Sequence, residues 1–206
     1  MIRDRDVQAF EERAPGYESG YLGRLHRDIV RRSVDLTLAH LTAPERVLDV
    51  GCGTGVLLGQ LARRVPAAAG LTGIDPSAAV VALARARAAD PRLRYVRAAA
   101  EHLPFPAAAF DLVVTTTSFD HWADQGAGLA ECHRVLAPGG HLVLTDLCSP
   151  LLLPTLVGTR RDRARTPLRA TRLLAAAGFR SITWHRLYGV IIRSVIACRS
   201  APAEPG

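Results

Sequence analysis

"VLDVGCGTG", residues 47–55, places an acid near the end of an apolar run and then three glycines at every second position. An apolar strand that breaks into glycines marks the turn from strand to helix in an α/β sheet, and such sheets bind ligands beyond the carboxyl ends of their strands. Gly51, Gly53 and Gly55 let the backbone turn tightly, approach a ligand and take positive φ without a Cβ penalty. Spacing narrows the ligand. A dinucleotide loop follows G-x-G-x-x-G, whereas here the third glycine comes one residue early and Val56 stands where that pattern needs Gly or Ala. Asp49 would repel a pyrophosphate and suits an ammonium group, and the chain has no Lys for a phosphate loop. A zwitterionic nucleoside fits better than a polyphosphate.

Outward from the turn, short β-type runs alternate with helical ones, the grammar of a βαβ sheet. Before it, the apolar spacing of residues 21–41 predicts an amphipathic helix with Leu22, Leu25, Ile29, Val34, Leu38 and Leu41 on one stripe. Strands are expected at 46–50, 70–75, 93–98, 110–116 and 140–147, and helices at about 56–64, from Ser77 as N-cap to about 89, and at 126–136. "PLRATRLLAAAG" reads as a helix closed by Gly178. Two last β runs, 180–187 and 190–199, are joined only by Tyr188 and Gly189, which forces an antiparallel hairpin. Asp75 ends the second strand twenty residues after Gly55, where a carboxylate can accept both hydroxyls of a ribose; capping of the following helix is the other reading.

Four stretches in this order, "VLDVGCGTG", "GIDPS" (73–77), "AEHLPFPAAAFDLVV" (100–114) and "ECHRVLAPGGHLVLTD" (131–146), resemble the class I S-adenosylmethionine-dependent methyltransferases, in particular the branch with a methyltransferase type 11-like domain that acts on small molecules. The resemblance implies an α/β, Rossmann-like three-layer sandwich around a seven-stranded, mostly parallel sheet of order 3-2-1-4-5-7-6 with a C-terminal antiparallel hairpin. It implies S-adenosyl-L-methionine as cofactor, with Asp49 near its amino group and Gly51, Cys52, Gly53 and Gly55 around its methionine part. Asp75 would take the ribose, Pro76 would touch the adenine, and Ala99, Ala100 and Glu101 would border the adenine edge. Thr115 would face the methionine side. The family often has an acid where Ala99 stands, so one adenine contact is expected to be missing or replaced by Glu101 or by the backbone.

A sulfonium methyl is already activated, so a methyltransferase mainly aligns its acceptor and excludes water. A base matters only where the acceptor must lose a proton. In "TTTSFDHWAD" (115–124), His121 and Asp120 are the candidate catalytic residues; a loop histidine packed under Trp122 or capping a helix is the other reading of the same residues. The stretch lacks the D/N-P-P-Y/F pattern of amino-methylating nucleic-acid enzymes, so a small-molecule acceptor is expected.

Charge sits at one end: residues 151–206 carry ten arginines against two acids, within a net +7. Arg160, Arg161, Arg163 and Arg165 either receive an anionic acceptor or solvate a loop; binding of nucleic acid is a weak alternative. Four widely spaced cysteines suggest reduced core thiols and no metal site. The charged start and the short "LLLPTLVG" suggest neither a signal peptide nor a span, hence a cytoplasmic protein without membrane partners. Residues 1–44 are expected to form a helical lid segment, 45–200 the binding domain and 201–206 a disordered tail; the resemblance implies that Tyr17 and Tyr21 cover the cofactor, and packing into the core is the other reading of the two. A module that binds the cofactor without turnover and an NAD(P)-dependent oxidoreductase are the competing readings.

Overall fold

The computed structural model describes residues 20–41, 43–148 and 166–201. Tyr17, the arginines from 160 to 165 and residues 202–206 lie outside them. In chain order come α1 (Gly20–His40), β1 (Arg46–Val50), α2 (Val56–Arg64), β2 (Gly70–Asp75), α3 (Ala78–Arg87), β3 (Leu93–Arg97) and β4 (Phe110–Thr116). A one-turn 3-10 helix (Phe119–His121), α4 (Gln125–Val135), β5 (Leu136–Leu147), α5 (Pro167–Ala176), β6 (Arg180–Tyr188) and β7 (Ile192–Cys198) complete the chain.

The strands form one sheet of order β3-β2-β1-β4-β5-β7-β6. All pairings are parallel except those of β7, which runs antiparallel to both β5 and β6. This is the Rossmann-like architecture and hairpin expected above. Helices cover both faces because the central strands are apolar on both: Val47, Leu48, Leu112 and Val113 are each at most 1% exposed. Leu129, Leu174 and Phe179 pack on one face, and Val34, Leu58, Leu61 and Val81 on the other. The chain builds outward from β1 to β3, then crosses back to β4. The sheet order therefore reverses between β1 and β4, and a crevice opens at the carboxyl ends of such a pair.

Local signals explain most boundaries. The Ser77 hydroxyl accepts from Val80 N at 3.3 Å and the Asp124 carboxylate from Ala127 N at 3.0 Å, which starts α3 and α4. Gly178, at φ +100°, lets the chain leave α5. β5 starts earlier than its sequence suggests, because Leu136 pairs with Phe110 before a bulge and the strand pairing resumes at His141. The hairpin turn falls after Tyr188, and β7 starts at Ile192.

The buried stripe of α1 differs from the expected one. Ile29, Val30, Ser33, Val34 and Thr37 are buried, whereas Leu25, Leu38 and Leu41 are half-buried. The helix is rotated toward its hydroxyls because the sheet offers partners for them. Ser33 Oγ lies 2.9 Å from Thr145 Oγ1 and 3.3 Å from Thr116 Oγ1, and Thr145 Oγ1 donates to Ser194 Oγ at 2.9 Å. This chain of hydroxyls fixes α1 over β4, β5 and β7.

Candidate functional site

A cleft opens at the carboxyl ends of β1, β2 and β4, enclosing about 1250 Å³ with the solvent at its mouth included. The turn after β1 forms its floor. Gly51 N and Cys52 N both donate to Ile74 O, at 2.9 and 2.8 Å, which ties the turn to the end of β2. Gly53 N donates to Asp75 Oδ2 at 3.2 Å, and Ser77 N to Asp75 Oδ1 at 3.0 Å. Each Asp75 oxygen keeps a second lone pair for a ligand. Burial raises the Asp75 pKa above its ordinary value, and those two backbone donors offset part of the rise.

Asp49 is the electrostatic centre. It is 2% exposed, it lines the cleft, and no donor among the described residues bonds its carboxylate. Loss of water pushes its pKa up to about 8, and the neighbouring charge of Asp75 adds to the rise. Cys52, beside it, has its thiol pushed well up, first by burial and then by the two carboxylates, so it is not a nucleophile.

The opposite wall is the stretch after β4. Ser118 Oγ donates to Val50 O at 2.9 Å, accepts from Trp122 Nε1 at 3.2 Å and lies 2.8 Å from Thr115 Oγ1. One hydroxyl has one proton and two lone pairs. With the proton committed to Val50, both lone pairs are taken by Trp122 and Thr115, so Thr115 must be the donor in their contact. Ser118 lines the cleft with nothing left to offer a ligand. Gly51 makes this junction possible: at φ +76°, a Cβ there would lie 2.3 Å from Ser118 Oγ and 2.4 Å from Ser118 Cβ.

Asp49, Gly51, Cys52, Gly53, Asp75, Pro76, Ala99, Ala100, Glu101 and His121 all line the cleft. Three expected residues stand behind its wall. Thr115 is fully buried and reaches the cleft only through Ser118; the next residues, Thr116 and Thr117, line it instead. Gly55 is the N-cap of α2 in the left-handed region, with the Tyr95 hydroxyl where a Cβ would go. Asp120 is 7% exposed, and its N–H donates to Asp146 Oδ2 at 3.2 Å, turning it toward β5. Asp146 also accepts from Leu147 N, and burial pushes its pKa up to about 6. Glu101 accepts from Asp124 N at 3.0 Å and so braces the start of α4.

His26, with Val30 one turn further along α1, lines the cleft and was not among the expected residues. The spacing 26, 30, 33 follows the face now known to be buried, but His26 and Ser33 are polar and a search for apolar stripes passes over them.

Residues 48–144 match the model of a methyltransferase domain family. Over this domain the chain is similar to S-adenosylmethionine-dependent methyltransferases. It is 43% identical over 122 residues to a demethylmenaquinone methyltransferase of Thermus thermophilus, covering 58% of this chain and 54% of the relative. It is 34% identical over 176 residues to a probable S-adenosylmethionine-dependent methyltransferase of Mycolicibacterium smegmatis, covering 82% and 63%. The chain spans about half the length of most of the curated relatives it matches. The fold is shared with an S-adenosylmethionine-dependent methyltransferase from Thermotoga maritima, with a TM-score of 0.71 at 20% identity over 94% of this chain and 99% of the other. Among the described residues, no helix is long and apolar enough to cross a membrane.

Proposed function

We propose that this chain transfers a methyl group from S-adenosylmethionine to a small-molecule acceptor. The observation that carries the reading is the buried Asp49 carboxylate, which has no donor among the described residues and faces a cleft floored by glycines. A carboxylate held there is costly unless a cation arrives. The residues present fit an adenosine bearing a charged amino acid: Asp49 for the ammonium, Gly51, Cys52 and Gly53 beneath the methionine part, and Asp75 for the ribose. Pro76 and the small side chains Ala99 and Ala100 border the space for the adenine.

When bound, S-adenosylmethionine supplies an activated methyl group, and the protein aligns the acceptor and keeps water out. His121, on the cleft wall, is placed to take a proton from the acceptor. Asp120 contributes through its main chain, which anchors the 3-10 helix on β5. Substituting His121→Ala should lower turnover about a hundredfold or more while leaving the affinity for S-adenosylhomocysteine unchanged. Full turnover would remove His121 from the reaction.

Ala99 offers the adenine no side-chain acceptor. An Ala99→Asp substitution adds a carboxylate at the cleft rim, so S-adenosylhomocysteine should bind roughly tenfold more tightly by titration calorimetry. Unchanged or weaker binding would place the adenine amino group elsewhere.

Two measurements test the function. Thermal unfolding should shift with S-adenosylhomocysteine and not with NADH; the reverse would overturn the reading in favour of an oxidoreductase. Incubation with S-adenosylmethionine and cell extract, and in parallel with a demethylmenaquinone as suggested by the Thermus relative, should yield a product heavier by one methyl group by mass spectrometry. Binding without any product would leave a non-catalytic cofactor module.

A further inference from the structure

We propose that Arg193 of β7 and Arg186 of β6 form an oxyanion subsite beside the cleft, which receives a carboxylate or phosphate group carried by the methyl acceptor. The inference rests on the methyl-transfer reading above and adds the chemical class of the acceptor.

The first argument is a pairing of like charges. Arg186 and Arg193 are direct partners in the antiparallel ladder of β6 and β7, and like charges opposite one another on a sheet are destabilising. Trp184, two residues before Arg186 and so on the same side of β6, donates to Thr171 Oγ1 of α5 at 2.9 Å, which identifies the face as the one that α5 covers. Arg193 is half-buried, and its Nε is buried without an acceptor among the described residues. A buried guanidinium N–H in that state, beside a second cation, is costly unless an anion bridges the two.

The surroundings supply no such anion. α5, β6 and β7 lie within residues 166–201, which hold six arginines and neither Asp nor Glu. The carboxylate opposite Arg193 is Asp146 of β5, and it is engaged elsewhere. Its Oδ2 accepts from Asp120 N at 3.2 Å and its Oδ1 from Leu147 N at 2.6 Å. The charge of Arg193 is nevertheless felt on this side of the sheet. The Cys148 thiol is pushed up, first by burial and then by Asp146, and Arg193 opposes the rise.

Position ties the pair to the reaction. β5 and β6 both run antiparallel to β7, so the end of β6, the end of β5 and the start of β7 share the edge of the sheet at which the cleft opens. Asp146, opposite Arg193, anchors the 3-10 helix that puts His121 on the cleft wall. Along the sheet the site therefore changes sign. Asp49 and Asp75, on β1 and β2, suit a cationic cofactor, and the arginine pair beyond β5 suits an anion. An acceptor anchored there by its oxyanion approaches the cofactor from the side opposite to β2 and β3.

Calorimetry on the whole chain, saturated with S-adenosylhomocysteine, tests this with benzoate, phenyl phosphate and the neutral benzamide. At least one of the two anions should bind roughly tenfold or more tightly than benzamide, and the stronger of the two tells a carboxylic acid from a phosphate ester. Substituting Arg193→Gln should abolish that preference with the affinity for S-adenosylhomocysteine unchanged, and Arg186→Ala, at an exposed position, should reduce it roughly threefold. Arg172→Ala, exposed on α5, should leave it intact. Equal binding of all three probes, binding of none, survival of the preference in Arg193→Gln, or an equal loss in Arg172→Ala would overturn the subsite. Should Arg193→Gln lose S-adenosylhomocysteine as well, an unchanged preference in Arg186→Ala would overturn it. A wild-type chain that does not bind S-adenosylhomocysteine would instead overturn the methyl-transfer reading beneath it.

Discussion

Replacing Asp49 by Asn should give a chain that is more stable at pH 8 and blind to its ligand. The folded protein holds the Asp49 proton up to about pH 8, whereas the unfolded chain releases it near the ordinary value of 3.8. Between those values the folded state binds more protons, so stability falls as pH rises, by about 1.4 kcal/mol for each unit of the pKa difference. Asparagine cannot ionise, and this fall should be lost from thermal or denaturant unfolding measured between pH 5 and pH 8. The same change removes the carboxylate that pairs with an ammonium, and S-adenosylhomocysteine should bind roughly a hundredfold more weakly. In the wild-type chain, ligand-induced stabilisation should grow with pH over the same range, because an ionised Asp49 is what the ligand stabilises. Undiminished affinity in Asp49→Asn would remove the carboxylate from recognition, and an unaltered pH profile would contradict its raised pKa.

The second large effect is expected at Gly51. Alanine there would meet both the Oγ and the Cβ of Ser118, so no simple rotation relieves the contact, and φ +76° adds backbone strain. Overpacking and a left-handed non-glycine residue together should cost about 3 kcal/mol of stability. They should also abolish measurable binding of S-adenosylhomocysteine. Gly53→Ala is the control, since Gly53 shares the positive φ but a Cβ there meets nothing within 4 Å. Its stability cost should be about 1 kcal/mol. Equal losses in the two variants would show that backbone strain alone matters and that the Ser118 contact relaxes freely.

How much of this could be read beforehand follows from where the signals are local. β1, β2 and β4 are apolar runs ended by Asp, Gly or Thr, and their bounds match the sequence because burial on both faces leaves only such runs as candidates. Asp49 and Asp75 were legible for the same reason: each is a polar residue closing an apolar strand. The wall after β4 was not. Ser118 means nothing without Val50, which is 68 residues away and accepts its proton. Thr115 and Thr116 alternate sides on a strand, and the sequence alone does not say which of two adjacent threonines faces the ligand. His26 was hidden because α1 buries Ser33 and Thr37, and a stripe that mixes hydroxyls with Val and Ile leaves no clean apolar period.

The fully committed hydroxyl of Ser118 sets a practical limit on anyone who wishes to redirect this protein to a new acceptor. Residues 115 to 122, which run from the end of β4 through the 3-10 helix, invite randomisation one position at a time. They are better treated as a single part, because Thr115, Ser118 and Trp122 hold one another in place and fasten the loop to β1. A mutant library should keep those three letters constant and vary Thr117 and Ala123, whose side chains border the same space without belonging to that fastening.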